Sequence, residues 1–202
     1  MDSKKLKKSY ETLKYNIEYS GYDLLIPFDK MLKELQENSM CIFKIKHKTV
    51  KDRDVLIVYN MVDKMTLNNV NSLILELQDK GKLLDKDLLY VVVPNMTTPG
   101  LLSLREKIKM ADTPVDVSIV DLNMLSMVII LQHTYVPHHK VLLGEEKTQF
   151  LDKYNITSYD KLPEIGRDDP VALSIFMRPD DICEISRTDK STMKQKYYRV
   201  CI

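Results

Sequence analysis

The chain has 202 residues, 44% of them hydrophobic and 29% charged, with a formal net charge of +1. That balance supplies a real core, excludes global disorder and predicts one large domain or two small ones. It argues against a protein that holds nucleic acid mainly by bulk electrostatics, leaving only local phosphate contacts open, and no apolar run of roughly 18 residues is present to cross a bilayer.

Leu6, Tyr10, Leu13 and Ile17 recur at helical steps, and Gly21 is placed to end that helix. The basic run Lys4–Lys8 at its start reads as a solvated helix end, with a nucleic-acid contact as the alternative. Pro27 suits the start of a second helix that buries Phe28, Met31, Leu32 and Leu35. MCIFKIKH then alternates like a half-buried strand, and DVLIVYN reads as a strand covered on both faces. Thr66 is predicted to cap a helix carrying Val70, Leu73, Ile74 and Leu77, closed by Gly81. LLYVVVP is another buried strand. After it, Thr98 is predicted as an N-cap and Pro99 as the first helical residue, with Leu101, Leu104 and Ile108 inward. VDVSIV is a third apolar strand. Strands alternating with helices predict an α/β domain with a partly parallel sheet over residues 1–130.

The texture changes after residue 130. GEEKTQFLDKYNI reads as a short polar helix, and Glu145 and Glu146 suit its positive end. LPEIGRDDPVALSIF is turn-rich, with a brief helical piece near Val171 that Asp169, just before Pro170, is expected to cap. DICEISRT and KYYRVCI read as two closing strands. Residues 131–202 are therefore predicted to form a smaller α+β domain. The N-terminal residues are charged and lack the apolar core of a secretory signal. The three cysteines, Cys41, Cys183 and Cys201, make neither a disulfide framework nor a zinc knuckle and read as buried thiols of a cytosolic or nuclear protein.

Catalytic signatures are missing. The five glycines form no phosphate loop, and there is no GxSxG elbow. The apolar strands carry no E-x-K or D-x-K triplet of the kind a metal-dependent nuclease sets on adjacent strands. His133, His138 and His139 cluster near the two glutamates but lack HExxH, HxH and HxxxH spacing. Adjacent histidines point about 100° apart on a helix and to opposite faces on a strand, so His138 and His139 make a poor chelate. They are expected to be structural or interface residues; a metal-dependent enzyme is the alternative.

YVPHH, EEK, FLDKYNI, LPEI, DDPVALSIF, EISR and the terminal YYRVCI follow one another in order over residues 131–202. Together they closely resemble the C-terminal assembly domain of the fifth subunit of eukaryotic RNA polymerases, shared by polymerases I, II and III. The archaeal counterpart of that subunit consists of this domain alone. YETLKYNIEYSGYDL, VNSLILELQDKG and LLYVVVPNMTTPG resemble, more weakly, the helices, buried strand and T-P loop of the eukaryotic subunit's N-terminal jaw domain. That domain has a nuclease-like α/β fold without nuclease activity.

The resemblance implies a non-catalytic polymerase subunit with no cofactor, metal or small-molecule substrate and no membrane contact. Its C-terminal domain would dock on the largest subunit, beside neighbouring small subunits, through Pro137, His138, His139, Asp169, Pro170, Val171, Arg187, Tyr198 and Arg199. For Asp169 a purely folding role as a cap is the alternative. The jaw domain would lie beside the downstream DNA duplex, touched weakly and without sequence preference by Thr98 and Pro99 of the T-P loop, with Arg105 adding charge. Several positions depart from the family pattern. Ser103 stands where a basic residue is expected, and the Arg before G-Y in the first helix is absent. The R-G turn before the penultimate strand reads R-P-D-D, and the last hairpin carries Met193 for its turn glycine and Gln195 for a tyrosine. This drift, with a Lys-, Asn- and Ile-rich composition, raises the expectation of a polymerase encoded by a large DNA virus. Localisation would then be the virion or a cytoplasmic viral factory, and the nucleus for a cellular copy. A free-standing regulator that binds polymerase transiently through the same domain is the alternative function.

Overall fold

The computed structural model describes residues 3–24, 26–62, 65–94, 96–111, 113–187 and 195–202. The chain divides into two compact units, residues 1–128 and 129–202, close to the boundary expected after residue 130.

The first unit is built on a five-stranded sheet in sequential order: β1 (Tyr22–Asp23), β2 (Met40–His47), β3 (Val55–Asn60), β4 (Leu88–Val93) and β5 (Asp116–Asp121). The first three strands pair antiparallel, and β3, β4 and β5 pair parallel. Parallel neighbours require crossovers, supplied by α3 (Leu67–Asp79) and α4 (Thr98–Met110). These helices lay Val70, Leu73, Ile74, Leu77, Leu101, Leu104 and Ile108 on Leu56, Val58, Leu89, Val91, Val117 and Ile119. Each such side chain, once buried, contributes roughly 1.5–3 kcal/mol. Alternate strand residues point to the opposite face, where Ser9 of α1 (Ser3–Tyr19) brings its hydroxyl 3.5 Å from that of Tyr59.

The ends of α3 follow the expectation. The Thr66 hydroxyl accepts from the Asn69 amide at 3.3 Å, and the Asn69 side chain accepts from the Thr66 amide at 3.2 Å. Gly81 takes φ +63° at the other end, and Lys82 N donates to Leu77 O at 2.9 Å, the bond pattern of a left-handed helix stop.

At α4 the expectation is corrected by one residue. Leu101 N donates to Thr97 O at 2.9 Å, so Thr97, in extended conformation, is the cap and Thr98 is already helical. Pro99 in second place is equally suited, because its missing N–H is one that a helix start leaves unpaired anyway. The buried face of α1 is also broader than its apolar periodicity predicts. Ser9, Thr12 and Asn16 are buried beside Leu6, Leu13 and Ile17, whereas Tyr10 is half-buried and donates to Ile26 O at 2.8 Å. Ser9 faces Tyr59 of β3, and α5 (Leu122–Met127) also packs against α1. Lys5 and Lys8 of the basic run reach Asn123 Oδ1 at 3.2 Å and Met127 O at 2.8 Å. The second helix, α2 (Phe28–Asn38), buries Met31 and Leu35 and leaves Phe28 and Leu32 half-buried.

The second unit carries a four-stranded sheet in the order β6 (His138–Leu142), β8 (Ile182–Arg187), β9 (Gln195–Cys201), β7 (Glu164–Ile165). β6, β8 and β9 run antiparallel and β7 joins β9 in parallel. Its α-helices among the described residues are α6 (Glu145–Lys153) and α7 (Pro170–Ser174). β8 and β9 are the two closing strands read from the sequence. β6 was not, because His-His-Lys carries no apolar alternation; pairing with β8 imposes the strand. The turn before β8 places Asp180 at φ +66°, within the R-P-D-D segment that stands for the family's R-G turn. The hairpin-tip departures at residues 189–194, Met193 included, lie outside the described residues.

Candidate interaction surfaces

In the first unit the T-P loop leaves the carboxyl end of β4. Pro94 is buried, while Thr97, Thr98 and Pro99 are exposed. Asp121, only 7% exposed at the end of β5, organises the loop. One carboxylate oxygen accepts from Met96 N at 2.9 Å, and the other accepts from Asn123 N at 2.6 Å and so caps α5. Sequence reasoning overlooked Asp121, although an acid between an apolar strand and L-N-M-L-S-M is an N-cap signal. Gly100 permits a close approach: a Cβ there would lie 3.0 Å from the Thr97 hydroxyl.

Arg105 does not join Thr98. Its Nε and one terminal nitrogen donate to the Ile119 carbonyl of β5 at 3.0 and 2.6 Å. Seven residues along a helix from Thr98, the guanidinium is held against the sheet rather than beside the helix start.

In the second unit the two adjacent histidines occupy neighbouring positions of β6, and the pleat sends them to opposite faces. His138 is exposed and His139 is 7% exposed. The His139 Nδ1 lies 2.6 Å from Pro137 O, so Pro137 both leads into the strand and fixes the ring. Burial holds the His139 pKa below the ordinary histidine value, and the approach of His138 and Arg187 adds to this. The Pro137 carbonyl and the Asp169 carboxylate oppose it. The charges of Asp169 and Arg187 thus both act on His139, in opposite directions.

Register separates the other expected interface residues. His139 stands opposite Ile185, which pairs with Tyr197, so Arg187, Tyr197 and Arg199 share its face. The Arg187 guanidinium sits 5.1 Å from the Tyr197 ring centre, and Arg199 donates to Glu164 O at 3.1 Å. His138 and Tyr198 lie on the other face. There Tyr198 packs on Phe150 of α6 with ring centres 4.2 Å apart, next to Leu142 and Ile182, and its hydroxyl donates to Glu184 at 3.2 Å. Burial and the Glu184 carboxylate both raise its pKa. Tyr198 therefore belongs largely to the unit's own aromatic cluster. Asp169 caps α7 as expected, its Oδ1 accepting from Val171 N at 2.8 Å. Pro170 is exposed and Val171 half-buried beside it. Glu146, in the first turn of α6, is paired with Lys140. Burial pushes the Cys183 thiol up to about 12, which removes it as a nucleophile near neutrality.

The sequence profile of the RNA polymerase Rpb5 C-terminal domain matches residues 128–201, nearly the whole of this second unit. The chain is also similar to the DNA-directed RNA polymerase subunit Rpo5 of Aeropyrum pernix, 39% identical over 74 residues that make up 37% of this chain and 81% of that protein. The Rpo5 subunit of Pyrococcus horikoshii is 40% identical over 73 residues, covering 36% of this chain and 88% of the relative. This chain belongs to the Rpb5 family. The Rpo5 subunit of Methanococcoides burtonii matches along 99% of its length at 30% identity while covering 39% of this chain. The resemblance of residues 131–202 to the fifth polymerase subunit is thereby established, and the Rpb5 domain coincides with the unit that holds Pro137, His139, Asp169 and Arg187.

Proposed function

We infer that this chain works as a non-catalytic subunit of a multisubunit DNA-directed RNA polymerase, docking on the largest subunit through residues 129–202. The observation that carries the reading is the match in extent: archaeal Rpo5 chains are almost completely covered by a stretch the length of the second unit. On this reading catalysis resides in other subunits. The exposed His138, Pro170 and Arg187, together with the half-buried Val171 and Arg199, are the residues of that unit offered to the partner.

The first unit, read as an inactive nuclease-like jaw domain, would flank the downstream duplex. The start of α4 suits a weak, sequence-independent phosphate contact: Thr98 and Gly100 amides precede the first helical bond, and Thr98 is exposed. The location of the complex follows the genome that encodes it, the nucleus for a cellular copy and the virion or viral factory for a viral one. Detection of the chain in purified virions or only in host nuclei decides between them.

Affinity purification of the tagged chain through a high-salt wash tests the reading. Stoichiometric recovery of the largest polymerase subunit is expected. Recovery far below one equivalent, or loss in salt, would point instead to a transient regulator.

A further inference from the structure

We propose that Thr98 is a phosphoryl-acceptor site for a proline-directed serine/threonine kinase, and that the fold withholds the chain's other Thr-Pro step at Thr113. Thr98-Pro99 and Thr113-Pro114 are the two places where a hydroxyl residue precedes proline, and no Ser-Pro step occurs. By sequence they are equivalent. Both prolines are exposed, but the threonines differ in two respects that a kinase cleft reads, namely access to the hydroxyl and freedom to extend the backbone.

At the first step Thr97, Thr98 and Pro99 are all exposed. Thr97 is already extended, at φ −65° and ψ 144°. Extending the chain further means opening the first turn of α4, which begins with the Leu101 N to Thr97 O bond. Pro99 contributes no N–H to that turn, and Gly100 gains more backbone freedom than any other residue when it opens. At the second step the Thr113 hydroxyl donates to Val115 O at 2.9 Å. Val115 is 3% exposed and leads directly into β5, the strand whose Val117 and Ile119 lie in the core. Extending that site means pulling the start of β5, with its buried side chains, away from β4.

The transfer moves the γ-phosphoryl group of ATP to the Thr98 oxygen, with the hydroxyl proton passing to the kinase's catalytic carboxylate and ADP leaving. It adds about −1.5 to −2 charges at the exposed start of α4. If that start faces DNA, an effect that rests on the function proposed above, the modified chain is repelled from the duplex.

The test uses the full-length chain, Mg·ATP and a purified mitogen-activated protein kinase, with sites mapped by mass spectrometry on native and heat-unfolded chain. Native chain is expected to carry phosphate at Thr98, with at least a tenfold loss of incorporation in Thr98→Ala and less than a twofold change in Thr113→Ala. Unfolded chain is expected to accept phosphate at both sites. Label at Thr113 in the native chain, or a Thr98 that stays unmodified in the native chain, overturns the proposal. Unchanged DNA affinity of a polymerase carrying fully phosphorylated Thr98 would remove the DNA-facing reading of α4 and leave the acceptor site standing.

Discussion

The Arg105 guanidinium grips the Ile119 carbonyl through two hydrogen bonds, at 3.0 and 2.6 Å, and ties the middle of α4 to the edge strand β5. A charge expected to serve DNA is committed to the fold. Arg105→Ala is expected to destabilise the first unit by about 1.5–3 kcal/mol, the range for a hydrogen bond to a charged group. Arg105→Lys should recover little of this, since an ammonium lacks the planar fork. Urea denaturation of the three proteins checks it; a lysine variant as stable as the parent would show that charge alone matters.

His139 is expected to make the second unit sensitive to mild acid. Its folded pKa lies below the ordinary value of 6.5, chiefly through burial. The unfolded chain therefore takes up the proton first. The histidine's contribution is intact above pH 6.5 and is lost progressively as the pH falls towards the folded value. Denaturation midpoints between pH 8 and 5 should fall on the acid side, and His139→Gln should flatten the part of the slope that belongs to this unit. His47 in the first unit is shifted in the same direction, again mainly by burial, so a residual slope is expected in the variant.

Asp180 adopts φ +66° on an exposed turn, with its amide donating to Cys201 O at 3.0 Å and its carbonyl accepting from Lys147 at 2.8 Å. Those backbone bonds survive replacement by glycine, which relieves the left-handed strain. Asp180→Gly is expected to stabilise the second unit by about 0.5–1 kcal/mol after the greater freedom of the unfolded chain is counted. A lowered midpoint in thermal unfolding would mean that the aspartate side chain holds the turn.

Asp169 can be assigned to folding or to docking by two substitutions. Its carboxylate caps α7 at 2.8 Å, so Asp169→Ala should cost about 1 kcal/mol of stability, and Asp169→Ser should keep most of the cap. If serine restores stability but recovery of the largest polymerase subunit stays low, the carboxylate itself makes an interface contact. Restoration of both properties assigns it to the cap.

Much of the local architecture was legible from short-range chemistry. Thr66 and Gly81 bound α3, Asp169 caps α7, and the apolar runs at 55–60, 88–93 and 116–121 became the parallel strands. The signals there lie within a few residues of the feature they specify, as a cap and its amide or a run and its pleat do. The extent of α1's buried face was hidden, because it depends on elements far along the chain, such as β3, whose Tyr59 faces Ser9. So was the role of Arg105, whose partner is a backbone carbonyl on another element, since backbone acceptors leave no mark in a sequence.

The histidine pair divides the two kinds of information most clearly. By itself the sequence determined that His138 and His139 make a poor chelate, because any regular backbone turns adjacent side chains apart. It also determined the family, through the order of motifs from YVPHH to YYRVCI. Only the tertiary structure decided which histidine is inward. Pairing of β6 with β8 sets His139 opposite Ile185 and against Pro137 O, and leaves His138 in solvent. The reason is physical: period-2 alternation fixes that the two differ, whereas the partner strand and the element packed on one face fix which is which.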